Sequence, residues 1–286
     1  METTREYPVW IPVNDHHIAA IVTIPEGDPR AVVLFTTGGG GAPRSQRFRL
    51  WTRAARELAD RGIASVRMEY EGVGDSTGAG RIGLKWSQLP TDDVIEVARF
   101  AMSVTGTTQL GMSGNCAGAR ACIRATESVP ECKSLVLFWL KPIAAPDRGT
   151  RRFQSGVRLF RLLPDTVKRK VAKAYWYREG RASKKVGVEN TLRKAAATRD
   201  LLLIETSSAL AGEIPTVIQE LERAGNGHRV ELRQVESTSM QAFQSPAEQE
   251  MTVTTVLEWF DASFPGASGG EGALEPGHPA SVQGSS

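Results

Sequence analysis

Apolar and polar positions change period repeatedly along the chain, and each change marks an element. PVWIPVNDHHIAAIVTIPEGD alternates apolar with polar residues on either side of Asn14-Asp15, which predicts two antiparallel strands joined by a turn. AVVLFTTGGGG is a continuous apolar run ending in glycines, the pattern of a strand buried on both faces. RFRLWTRAARELADRG moves to helical spacing and closes on Gly62, a C-terminal capping residue. IASVRMEYEGVGDSTG predicts a strand and a turn, and TDDVIEVARFAMSVTG a helix capped by Thr91. Strand TTQLGMSG, helix CAGARACIRATES and strand SLVLFWL follow.

After Leu140 the rhythm breaks, and residues 141–199 predict several short helices without a clear strand. It resumes with strand LLLIE, helix EIPTVIQELERAG, strand HRVELRQV and helix PAEQEMTVTTVLEWFDASF. From Pro265 the chain is rich in Gly, Ser and Pro, a composition that predicts disorder. Strands alternating with helices imply an α/β fold, a mostly parallel, doubly wound sheet with helices on both faces. The expected organisation is a core in two parts, 1–140 and 200–264, a helical insertion at 141–199 and a tail at 265–286.

Composition narrows the function classes. With 286 residues, 41% apolar and 23% charged, the chain is long enough for a large core and ordinary for a soluble protein. No apolar run is long enough to span a bilayer, and METTREYPVW lacks the basic start and apolar centre of a signal peptide. Cys116, Cys122 and Cys132 are an odd number without metal-ligand spacing, so neither a disulfide framework nor a zinc site is expected. A cytoplasmic protein with free thiols and no cofactor is the expectation.

Charge is segregated. Lys141 to Asp200 holds 17 Lys plus Arg against 5 Asp plus Glu, a balance of +12, which leaves −9 for the rest of a chain whose total is +3. Such a block suits an acidic partner or an anionic substrate group, or else a solvated helical face. Nucleic acid is not expected, because aromatic and basic residues interleave only in short runs such as KAYWYR. A membrane is not expected either, although VRLFRLLPDTVKRKVAKAYW is amphipathic.

The chemistry centres on GMSGNCAGAR. A nucleophile on a sharp strand-to-helix turn needs small residues two positions before and after it, because strand and helix approach closely there. Around Cys116 those positions are Gly114 and Gly118; around Ser113 they are Gly111 and the larger Asn115. The first register also leaves a full strand before the turn and starts the helix directly after it. Cys116 is therefore placed at the tip and Ser113 within the strand. The GGGG at 38–41 lacks the Gly-Lys-Ser/Thr ending of a phosphate loop. Arg44 and Arg47 follow it as candidate contacts to an anionic substrate group, and Asp75 is expected to brace its loop.

Together these segments resemble the α/β-hydrolase superfamily over about residues 8–262. TTGGGG stands where the family has its oxyanion loop, and GNCAG matches the nucleophile elbow. RLWTRAARELADRGIASVRMEYEGVGDSTG is similar to the stretch from helix A to the Gly-Asp-Ser loop, and the insertion after the sixth strand to the cap domain. The cysteine makes the chain similar to dienelactone hydrolases and to Dieckmann-cyclase-like members. That resemblance implies that Cys116 accepts an acyl group while the N–H of Ala117 and one from Gly38 or Gly39 face the oxyanion. A helix N-terminus favours the thiolate such chemistry needs.

The chain departs from the family at the histidine. Its expected loop, ESTSMQAFQSP, contains none; Ser239 or Met240 stands there, which makes Met240 a candidate substrate contact. His16 and His17 lie in the first hairpin, His228 before the last strand and His278 in the tail. Glu205 is the nearest candidate acid after the seventh strand. An elbow without its histidine implies an acyl, ester or carrier-linked substrate and a reaction shifted from hydrolysis toward transfer, elimination or cyclisation. A non-covalent lyase or cyclase, and an inactive protein binding through the basic block, are the alternatives.

Overall fold

The computed structural model describes residues 5–38, 43–79, 89–140, 188–206, 214–224, 227–235, 243 and 245–266. Eight strands form one sheet: β1 (Arg5–Val13), β2 (His16–Ile24), β3 (Ala31–Phe35), β4 (Ile63–Met68), β5 (Leu110–Asn115), β6 (Cys132–Phe138), β7 (Asp200–Thr206) and β8 (Val230–Val235). Their order is β1-β2-β4-β3-β5-β6-β7-β8. The β1–β2 hairpin is antiparallel, and β2 joins β4 antiparallel. Every other pairing is parallel.

Among the described residues, six helices accompany the sheet: α1 (Leu50–Ala59), α2 (Thr91–Thr105), α3 (Ala117–Ala125), α4 (Val188–Ala196), α5 (Ile214–Ala224) and α6 (Pro246–Ser263). The continuous apolar runs of the parallel strands serve two cores at once. In β3, Val32 and Leu34 join the core under α2 to α5, while Ala31, Val33 and Phe35 join the one under α1 and α6. Each large side chain buried this way stabilises the fold by roughly 1.5–3 kcal/mol. Trp51 of α1 stacks on Phe35 at 5.0 Å and tilts against Phe138 at 5.6 Å. The mostly parallel sheet with helices on both faces is the architecture expected from the sequence.

Two helix starts differ from expectation. Thr91 is the first residue of α2 rather than its cap, because its hydroxyl turns back to the Leu89 carbonyl at 3.4 Å. The run RFRL does not continue α1 toward the N-terminus. A 3₁₀ turn occupies Arg47–Arg49, and Gln46, Phe48 and Arg49 all have positive φ. The predicted tail falls on residues of which only 265 and 266 are described, and 141–187 of the predicted insertion lie outside the described residues. From the end of that insertion, α4 is helical as expected.

Candidate active site

The parallel strands β3 to β8 end on one edge of the sheet, and Cys116 stands there between β5 and α3. Its backbone is left-handed (φ 53, ψ −112), which non-glycine residues adopt only when their surroundings hold them there. The holding contacts are visible. A Cβ on Gly114 would lie 2.2 Å from Thr36 Oγ1, and one on Gly118 would lie 2.4 Å from the Thr37 carbonyl oxygen. Thr36 itself is fixed: its N–H and hydroxyl both donate to the Ser113 carbonyl, at 2.8 and 3.2 Å, and its own carbonyl accepts from Trp51 Nε1 at 3.0 Å. Ser113 is fully buried inside β5.

Donors for a developing negative charge lie around this turn. The Cys116 N–H is already engaged, donating to the Phe138 carbonyl at 2.9 Å. Ala117 opens α3, so its N–H has no acceptor within the helix. Gly38 follows β3 beside the elbow, with Asn115 Nδ2 3.1 Å from where its Cβ would be; Gly39 lies outside the described residues.

The three thiols are not equivalent. Burial pushes both Cys122 and Cys132 up to about 12, Cys122 despite a hydrogen bond with Thr36. Both therefore stay protonated and inert at neutral pH. Cys116 alone of the three is only half-buried.

The remaining candidates from the sequence scatter. Glu205 is the last residue but one of β7, on the same sheet edge, buried at 4% exposure and aligned with Gln234 of β8. Arg44 is held by two carboxylates, donating to Glu69 at 2.6 Å and to Asp75 at 2.9 Å, and Asp75 also donates its N–H to Glu69. This guanidinium braces the loop after β4. Arg47 is exposed on the 3₁₀ turn. Met240 lies outside the described residues.

Three of the four histidines are described, and each has a place. His16 lies beyond the end of β4, separated from β5 by β4 and β3, with Nε2 2.9 Å from Asp93 and Nδ1 3.4 Å from Asp15. His17 is exposed on β2. His228 precedes β8 at the opposite edge of the sheet, 3.9 Å from Asp200 at the start of β7.

Four residues of this region were not singled out by sequence reasoning. Trp139, just past β6, and Phe243, in the loop after β8, both have positive φ, and their rings meet at 4.5 Å, tilted by 45°. Phe243 also meets Phe138 at 5.9 Å, so an aromatic wall stands one residue from the carbonyl that holds Cys116. Gln46 and Asn115 form the other contact, Nε2 to Oδ1 at 2.8 Å. For this pair the only signal available in the sequence was the adjacency of Asn115 to Cys116.

No family model matches the sequence, and no curated protein matches it. Solved structures do. DcsB, in complex with its substrate analogue, superposes with a TM-score of 0.62 at 13% identity, covering 92% of this chain and 100% of that one. Est1E from Butyrivibrio proteoclasticus, with ferulic acid bound, gives 0.60 at 14% identity over 89% and 98%. Dienelactone hydrolase from Anabaena variabilis gives 0.55 at 17% identity over 91% and 99%. The strand order, the left-handed turn between β5 and α3 and these superpositions agree: the chain has the α/β-hydrolase fold.

Proposed function

We propose that the protein is an enzyme acting on a small acyl or ester substrate, with Cys116 as the acyl acceptor. The observation that carries this reading is the backbone at Cys116, a left-handed non-glycine residue wedged between Gly114 and Gly118. That conformation is unfavourable for folding and serves to present one side chain at the sheet edge. The thiolate would attack the substrate carbonyl, and the N–H groups of Ala117 and of Gly38 or Gly39 would stabilise the oxyanion. Expulsion of the leaving group would then give a thioester. Such relatives as Est1E and dienelactone hydrolase support an acyl or ester substrate by likeness of fold.

The sequence places no histidine in the loop after β8, so no side chain of the usual kind activates water against the thioester. We therefore read the second step as transfer to a nucleophile of the substrate itself. That nucleophile attacks the thioester carbonyl, loses its proton and returns the thiolate, which closes a ring or moves the acyl group. In the same reading, residues 141–199 are a cap whose basic side chains receive an acidic carrier protein or a phosphate of coenzyme A type, and Glu205 is the candidate acid at the sheet edge. The opposing reading, a non-covalent lyase or cyclase, dispenses with the thioester.

The test is incubation with activated acyl thioesters and with p-nitrophenyl acetate, followed by intact mass. One acyl group on the wild-type protein, absent in Cys116→Ala, is the expected result. No adduct, together with unchanged turnover in Cys116→Ala, would sink covalent catalysis and favour the lyase.

A further inference from the structure

A chain of amide contacts leads from the turn before α1 to the elbow, and its direction is set at each link. The Arg47 N–H donates to Gln46 Oε1 at 3.0 Å, so Gln46 turns its Nε2 toward Asn115. Nε2 can only donate, and Asn115 receives it on Oδ1 at 2.8 Å. Asn115 Nδ2 is therefore left on the other side, against Gly38, where a Cβ would lie 3.1 Å away. Among the described residues this NH₂ meets no acceptor. Gln46 is 4% exposed, and it holds its position with a left-handed backbone (φ 58), like Phe48 and Arg49 after it. Three residues with positive φ within Gln46–Arg49, where the turn before α1 touches the elbow, indicate a contact kept for function.

We propose that Asn115 is a catalytic residue that donates Nδ2–H to the carbonyl oxygen of the substrate, aimed by Gln46 as a positioning residue. The proposal rests on Cys116 being the acyl acceptor. As the Cys116 sulfur bonds to the carbonyl carbon, its proton having gone to solvent, the carbonyl π electrons move onto oxygen. Asn115 Nδ2–H and Ala117 N–H then hold that oxygen from two sides until the electron pair returns and the leaving group departs. The ligand class is a polarised acyl carbonyl, as in a thioester or activated ester.

The test compares two reactions of the same thiol. Acylation by p-nitrophenyl acetate passes through an oxyanion, whereas alkylation by iodoacetamide does not. In Asn115→Ala and Gln46→Glu, acylation should fall about 100-fold, the typical effect of removing one such donor. Alkylation should stay within about twofold, which shows the elbow intact. Gln46→Glu is the sharper variant, because a carboxylate cannot donate and would turn the Asn115 amide around. Unchanged acylation in both variants overturns the role of Asn115 while leaving Cys116 as acyl acceptor. An equal loss of acylation and alkylation makes the pair structural and also overturns it. A wild-type protein that never acylates at Cys116 removes both readings together.

Discussion

At the residue scale, function and stability pull against each other at Cys116. A residue held at φ 53 and ψ −112 stores strain that glycine would not feel. Cys116→Gly should therefore raise the unfolding free energy, by about 1 kcal/mol after the extra flexibility of glycine in the unfolded chain is subtracted. Urea denaturation of the two proteins measures this directly; a loss of stability in the glycine variant would show that the turn is relaxed rather than strained. The tip itself was legible in the sequence, because close packing demands glycine at two fixed spacings and only one register supplies both. The Gln46–Asn115 contact was not legible. It joins residues 69 positions apart through two side-chain amides, and neither periodicity nor a motif marks such a meeting.

At the element scale, the hairpin of β1 and β2 is fastened to α2 by His16 and Asp93. Asp93 accepts from the Glu71 N–H on its second oxygen, so one carboxylate ties three segments. Burial lowers the His16 titration, but hydrogen bonds to Asp93 and Asp15, with the charge of Glu71 nearby, carry it above the ordinary histidine value. The folded protein thus holds the His16 proton to a higher pH than the unfolded chain does. Its contribution is complete below about pH 6.5 and is lost as pH rises through the folded value. Burial also raises Asp93, against the Glu71 N–H and His16, which adds a loss of the same sign from about pH 3.8 upward. Relative to His16→Gln, the wild type should lose stability as pH rises above about 6.5 in urea titrations. A constant difference across that range would mean that folding leaves the His16 titration unshifted. Strands were readable because a run such as AVVLF has no other low-energy fate than burial on both faces. The start of α1 was not, since RFRL keeps helical spacing while its backbone is diverted to bring Gln46 against the elbow.

At the scale of the whole molecule, the +12 block at Lys141 to Asp200 opposes a remainder at −9. Where the block is described at its end, its side chains are in use. Arg193 pairs with Glu220 at 2.7 Å, and Arg199 donates to the Cys132 carbonyl at 3.0 Å. The charges that would meet a partner are then those of residues 141–187, among them Arg151, Arg152, Lys168, Arg169 and Lys170. If they receive an acidic carrier, their attraction acts over a Debye length of about 8–10 Å and is screened by salt, whereas acylation by a neutral small ester is not. Replacing those five by glutamate should lower kcat/KM for a carrier-linked acyl substrate by at least about tenfold and flatten its dependence on ionic strength. The rate with p-nitrophenyl acetate should not change, because among the described residues the contacts that hold the elbow at Cys116 come from β3, β5, β6, α3 and the turn before α1, and none from the basic block. An equal fall with both substrates would instead place the basic residues in the packing over the site, and a carrier-linked rate indifferent to both salt and charge reversal would make the block a solvated face.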